Sequence, residues 1–127
     1  MRILLATDAF PPVCGGSGWS TYELARGLRA RGHHVAIVRP QTEAAAAPAA
    51  YDGFEPLPFP ASAPNVPFVR NYFRNERLYG RLVPFLTGLI RREKIDVVHG
   101  QHLLTCVPAI RAARLENVPS VCTVRDY

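Results

Sequence analysis

The chain has 127 residues, 48% of them hydrophobic and 20% charged. That balance gives one globular domain of ordinary size and excludes a disordered or low-complexity protein. No stretch reaches the roughly 20 apolar residues of a membrane-spanning helix, and the run Ile3-Leu4-Leu5-Ala6 meets Asp8 too soon for a signal peptide. The net charge of +5 is local: Arg70, Arg74, Arg77, Arg81, Arg91, Arg92 and Lys94, set against Glu76 and Glu93, carry all of the excess. A local anionic partner is therefore expected, not a general coating of nucleic acid. Three cysteines, Cys14, Cys106 and Cys122, form no CxxC pair and are odd in number. They suggest a reducing compartment, and without a signal peptide the cytoplasm is the expected location.

Met1 to Thr7 reads as a buried strand. Asp8 to Gly18 then makes a stiff, glycine-rich loop: Pro11 and Pro12 fix φ, and Gly15, Gly16 and Gly18 are expected to permit positive φ and close approach of a ligand. Backbone N–H groups at the start of the following helix favour phosphate, a sugar hydroxyl or a carboxylate. The competing reading is a solvated loop with glycine as helix cap. Trp19 to Arg31 is predicted as a helix with Tyr22, Leu24, Ala25 and Leu28 on its buried side and Gly32 as C-terminal cap, and Val35 to Arg39 as the second strand. Residues 40–67 hold more than half of the twelve prolines and the run Ala44 to Ala47. They predict a long loop with a short edge strand near Phe54 to Phe59.

Between Arg74 and Lys94, Leu78, Leu82, Phe85, Leu86 and Leu89 form a helical stripe interrupted by Pro84, which is expected to kink or split the helix. Ile95 to His99 is predicted as a strand, Leu103 to Glu116 as a helix and Ser120 to Val124 as a last strand. Strands alternating with helices call for an α/β, Rossmann-like doubly wound parallel sheet with helices on both faces.

In such a sheet, ligands bind beyond the carboxyl ends of the strands. Those ends offer Thr7 and Asp8, Arg39, His99 to His102, and Arg125 to Tyr127. A nicotinamide-binding domain is disfavoured: the sixth position after Gly16-Ser17-Gly18 is Thr21, and Arg39 stands where an acid would grip ribose. His99 and His102 have HxxH spacing but no third ligand nearby, so no metal is expected. Their alternative is structural, one a core histidine bonded to backbone and the other a helix cap. Nothing resembles a nucleophile elbow.

Three stretches, in order, resemble the N-terminal half of family 4 glycosyltransferases of the GT-B fold. The first runs from the opening strand through the D-x-F-P-P turn of Asp8 to Pro12, Gly15-Gly16, the helix Thr21 to Leu28 and the Arg31-Gly32-His33 turn. The second is Asp96-Val97-Val98-His99-Gly100-Gln101-His102-Leu103, and the third is Pro119 to Tyr127. Nearly the whole chain is covered, with residues 40–67 least matched.

The resemblance implies transfer of a sugar from a nucleotide-activated donor to a sugar or lipid-linked acceptor, with retention and without a metal or other cofactor. The single domain, residues 1–127, is then the acceptor side. Gly15, Gly16, Ser17 and Gln101 are implied contacts of the donor diphosphate or sugar, and His99 and His102 border the reacting centre. Asp8, Arg125 and Asp126 are implied acceptor or phosphate contacts. Many members carry H-x-H where this sequence has Gln101 followed by His102. Glutamine still hydrogen-bonds a hydroxyl but does no acid–base work. The family's C-terminal nucleotide-binding domain is absent, so the expectation is a half-enzyme inactive alone, or a binding or scaffold domain descended from one. Residues 70–94 are read either as an interfacial helix at the inner membrane face or as a packed helix with a solvated arginine edge. Tyr72, Phe73 and Tyr79 lack the spacing of a nucleic-acid stacking platform.

Overall fold

The computed structural model describes residues 1–41, 50–60 and 78–124. Its elements are β1 (Arg2–Ala6), α1 (Gly16–Ala30), β2 (His34–Gln41), β3 (Leu57–Pro60), α2 (Leu78–Glu93), β4 (Val97–Gly100), α3 (Leu103–Leu115) and β5 (Ser120–Cys122). The five strands form one sheet in the order β3-β2-β1-β4-β5, with every neighbouring pair parallel. Arg125 to Tyr127, Arg70, Arg74, Arg77 and most of the proline-rich loop lie outside the described residues.

The sheet has two apolar faces because alternate side chains of each strand point opposite ways. Ile3, Leu5 and Ile37 pack with Ala25, Phe10 and Phe54 under α1. Leu4, Ala6, Val38 and Val98 pack on the other face with Leu82, Leu86, Leu89 and Ile90 of α2 and Ala109, Ala112 and Ala113 of α3. Burial on both faces is what parallel strands require, and it explains why β1 reads as an unbroken apolar run.

Chain order and sheet order together fix the crevice. The β1-α1-β2 crossover moves to one side of β1, and the chain later returns to place β4 on the other side. The tips of β1 and β4 therefore flank the switch point, where ligands bind in this architecture.

Several boundaries differ from those predicted. Helix α1 begins at Gly16, taking in residues assigned to the loop, and β2 runs on to Gln41. The predicted edge strand is present as β3, beside β2 at the sheet margin where Pro58 and Pro60 are tolerated. Helix α2 continues through Pro84 as one element, with the hydroxyl of Thr87 donating to the Pro84 carbonyl at 2.8 Å. Gly32 caps α1 at φ +85°, as its position predicts. Gly15, Gly16 and Gly18 do not take positive φ; their contribution is the absence of a side chain.

One further expectation changes, and the packed reading of the α2 segment holds. Cys106 of α3 and Cys122 of β5 are joined as a disulfide with Cα atoms 5.9 Å apart, so two of the three cysteines pair. Spacing in sequence gave no hint because the partners belong to different elements. The apolar stripe of α2 is spent on the core, and its basic residues Arg81, Arg91 and Arg92, with Lys94 just past its end, are exposed. Part of this basic set is occupied within the protein: Arg91 pairs with Glu116, and Arg81 lies over the Phe59 ring, 5.8 Å from its centroid. Among the described residues no helix is long and apolar enough to cross a membrane.

Candidate functional site

Two strand-to-helix turns meet at the switch point. The β1–α1 turn is rooted by Phe10, which is 1% exposed and meets Tyr22 and Phe54 edge-on with centroids 6.2 and 6.0 Å apart. Beyond Phe10 the turn opens: Val13, Gly15 and Gly16 are exposed and Ser17 is half-buried. Gly15 occupies the N-cap position of α1, which has no side-chain cap and no acid in its first turn. A methyl group added to Gly15 or Gly16 would meet nothing within 4 Å. The start of α1 thus keeps its backbone donors and positive dipole end for something other than its own side chains. Gly18 is different, since a Cβ there would fall 2.5 Å from the Cys14 sulfur.

The β4–α3 turn is closed. A Cβ on Gly100 would lie 2.8 Å from the Cys106 Cα, so glycine is what lets α3 sit against β4. Gln101 and Thr105 are fully buried and His102 is 3% exposed. Backbone bonds tie this turn to β1: the Gln101 N–H donates to the Ala6 carbonyl at 2.8 Å, and the Thr105 hydroxyl donates to the same oxygen at 3.0 Å.

His102 links the two turns. Its Nδ1 accepts the Asp8 N–H at 3.2 Å and stands 3.0 Å from the Thr7 hydroxyl. A backbone N–H only donates, so Nδ1 is the unprotonated nitrogen and a neutral ring carries its proton on Nε2. The single hydroxyl proton of Thr7 is shared between Nδ1 and the Ala9 carbonyl, the latter 2.8 Å away, and the Thr7 oxygen lies 3.5 Å from that of Thr21. His102 is at once a buried histidine bonded to backbone and the N-cap residue of α3, though its ring makes no cap bond. His99 is half-buried on β4, with Nε2 2.7 Å from the Thr123 hydroxyl.

The structure thus brings Asp8, His99, Gln101 and His102 to the adjoining tips of β1 and β4, and Gly15, Gly16 and Ser17 to the open turn. Arg125 and Asp126 are outside the described residues. Among those described, no group of three or more histidine, cysteine or acidic side chains is arranged to hold a metal ion. Sequence reasoning missed Thr7 and Thr105 as the partners that fix the histidine turn. The signal available was a threonine at a strand tip and another three residues after the histidine.

The model of Glycosyltransferase Family 4 matches residues 14–126. No curated protein matches the chain. Among solved structures, the crystal structure of Acinetobacter baumannii MurG superposes with a TM-score of 0.67 at 13% identity, over 97% of this chain and 34% of that one. The chain therefore spans about a third of the length of that structure. Strand order, the open glycine turn and the histidine turn agree with a family match across nearly all of the sequence: the chain belongs to Glycosyltransferase Family 4 and has the Rossmann-like fold of the N-terminal half of a GT-B enzyme.

Proposed function

We propose that this domain is the acceptor-side half of a retaining glycosyltransferase that uses a nucleotide-sugar donor and needs no metal. The observation that carries this reading is the uncapped, side-chain-free start of α1 beside the tips of β1 and β4. In sugar transfer an acceptor hydroxyl bonds to the anomeric carbon as the bond to the donor diphosphate breaks, and negative charge gathers on the leaving phosphate. Fixed backbone donors at Gly15, Gly16 and Ser17 stabilise such charge without reorganising. Half-exposed His99 borders the reacting centre, and buried His102 holds the β1 tip through Asp8 and Thr7 as a positioning residue. Asp8 contacts the acceptor from that tip, and Gln101 supports the turn that presents the sugar. Arg125 and Asp126 complete the acceptor or phosphate contacts in this reading.

The donor's base and ribose belong to a second α/β domain, and the 127 residues alone do not turn over. The span of only 34% of the MurG chain supports this division of labour. The acceptor is a sugar or a lipid-linked sugar, reached from the cytoplasmic side.

The test offers labelled UDP-, GDP- and ADP-sugars to the chain alone and to the chain joined to a GT-B C-terminal domain. Transfer with the anomeric configuration kept, seen only in the joined protein and reduced at least about a hundredfold by Gly16→Val, is expected. Transfer that ignores the Gly16 substitution overturns the reading.

A further inference from the structure

Among the described basic residues, only Arg2 and Arg39 are drawn in from the surface. Arg2 is compensated there, with its guanidinium 3.1 Å from the Glu93 carboxylate and also bonded to the Glu93 carbonyl. Arg39 has no such arrangement. Its Nε is sealed from solvent without a hydrogen-bond partner, and no carboxylate pairs with it among the described residues. The residue as a whole is half-buried, and an anion reaching its guanidinium would give Nε the acceptor it lacks.

The position of Arg39 says where that anion would sit. Val38 lies in the core under α2 and α3 and Ile37 in the core under α1, so alternation sends Arg39 to the α1 face at the C-terminal end of β2. The Thr7 N–H donates to the Val38 carbonyl at 3.0 Å, which sets the start of the open turn beside this end of β2. Burial raises the pKa of the Cys14 thiol, and the Arg39 charge offsets part of that rise. Cys14 in turn precedes Gly15 and Gly16, and Gly18 packs on its side chain.

We propose that Arg39 binds a phosphoryl group seated against the Gly15–Gly16 turn and so selects phosphorylated substrates for this domain. The inference deepens the sugar-transfer reading and rests on it for its biological role. A guanidinium presents a planar fork that grips two phosphoryl oxygens at once, which a lysine does not. The phosphoryl group has two sources, the donor's diphosphate or a phosphate on the acceptor.

Cys14 is a free thiol and serves as the reporter. Its alkylation by iodoacetamide, followed by peptide mass spectrometry on the 127-residue chain, is measured against inorganic pyrophosphate and glucose 6-phosphate at constant ionic strength. Each variant is compared with its own unliganded rate. Saturable protection is expected, with the half-protecting concentration raised at least about tenfold in Arg39→Gln and only partly restored in Arg39→Lys. Tighter protection by pyrophosphate assigns the donor diphosphate, and tighter protection by glucose 6-phosphate assigns an acceptor phosphate. Equal protection in wild type and Arg39→Gln overturns the inference, as does failure of both ligands to protect. Titration of the Gly15 and Gly16 amide signals in a ¹⁵N spectrum of Arg39→Lys keeps the test valid if the glutamine variant unfolds. Sugar transfer by the joined two-domain protein, unchanged in Arg39→Gln and lost in Gly16→Val, would leave the enzyme reading standing while this inference falls.

Discussion

The β1–α1 turn and the β4–α3 turn reach the same crevice and are built in opposite ways. At the first, Gly15 and Gly16 face open space and the helix start has no side-chain cap. At the second, a single added carbon on Gly100 would strike the backbone of Cys106, and Gln101, His102 and Thr105 are sealed. Glycine serves both, as free room in one and as close packing in the other. The difference teaches that the closed turn holds the geometry while the open turn leaves its backbone uncovered by side chains. Substitutions should therefore separate cleanly into those that cost stability and those that cost binding.

The largest effect is expected at the root of the open turn. Phe10→Ala removes a ring buried to 1% exposure and empties the space between Tyr22 and Phe54. A loss of about 3–5 kcal/mol is expected by urea unfolding. A loss under about 1 kcal/mol would mean that the open turn is not anchored to the α1 core at all.

Gly100→Ala comes next. Its Cβ would sit 2.8 Å from the Cys106 Cα, a backbone atom that moves only with α3, and overpacking of this kind costs about 1–3 kcal/mol. Gly16→Ala should stay within about 0.5 kcal/mol of wild type, because its methyl group meets nothing within 4 Å. The two variants in one thermal-melt series test the comparison directly: if both melt early, the first turn is not open.

A smaller loss is expected for Thr7→Val. Its hydroxyl donates to the Ala9 carbonyl and faces His102 Nδ1, so the variant gives up buried hydrogen bonds worth about 1–2 kcal/mol. The Asp8 N–H still holds Nδ1 in place. Early exchange of the Asp8 amide in this variant would show that Thr7, not the backbone, orients the ring.

How much of this was legible in the sequence follows the same division. Apolar runs and their spacing gave the strand and helix order, because β1, β2 and β4 bury both faces and α2 buries a stripe. The carboxyl-end rule then put Asp8, His99, Gln101 and His102 at one crevice before any coordinates. Long-range pairing was not legible. Nothing in local spacing shows that Cys106 meets Cys122 or that His102 turns back to Thr7, since those partners are brought together by the sheet. Glycine conformation was also misjudged at Gly15 and Gly16, because a Gly-rich stretch marks either left-handed backbone or missing side chains, and only φ separates the two.

The smallest effect is expected where the open turn leans on the segment before β3. Trp19, Tyr22 and Tyr51 meet edge-on there, and Asp52 fastens the segment to α1, accepting from the Tyr22 hydroxyl at 2.7 Å and from Arg29 at 2.9 Å. The Tyr22 hydrogen bond first, and then that of Arg29, hold the Asp52 carboxyl below its ordinary pKa. A depressed folded-state value means that the stabilisation is present above the unfolded pKa and is lost as pH falls through the folded one, so the window lies below about pH 4. The groups are exposed and screened, which keeps the effect small near neutrality. Asp52→Asn should lower the neutral plateau slightly and so flatten the acid limb of the melting curve, the two proteins converging at low pH. Trp19 fluorescence gives the local readout beside the open turn: if its acid transition is the same in both proteins, Asp52 does not brace this wall of the crevice.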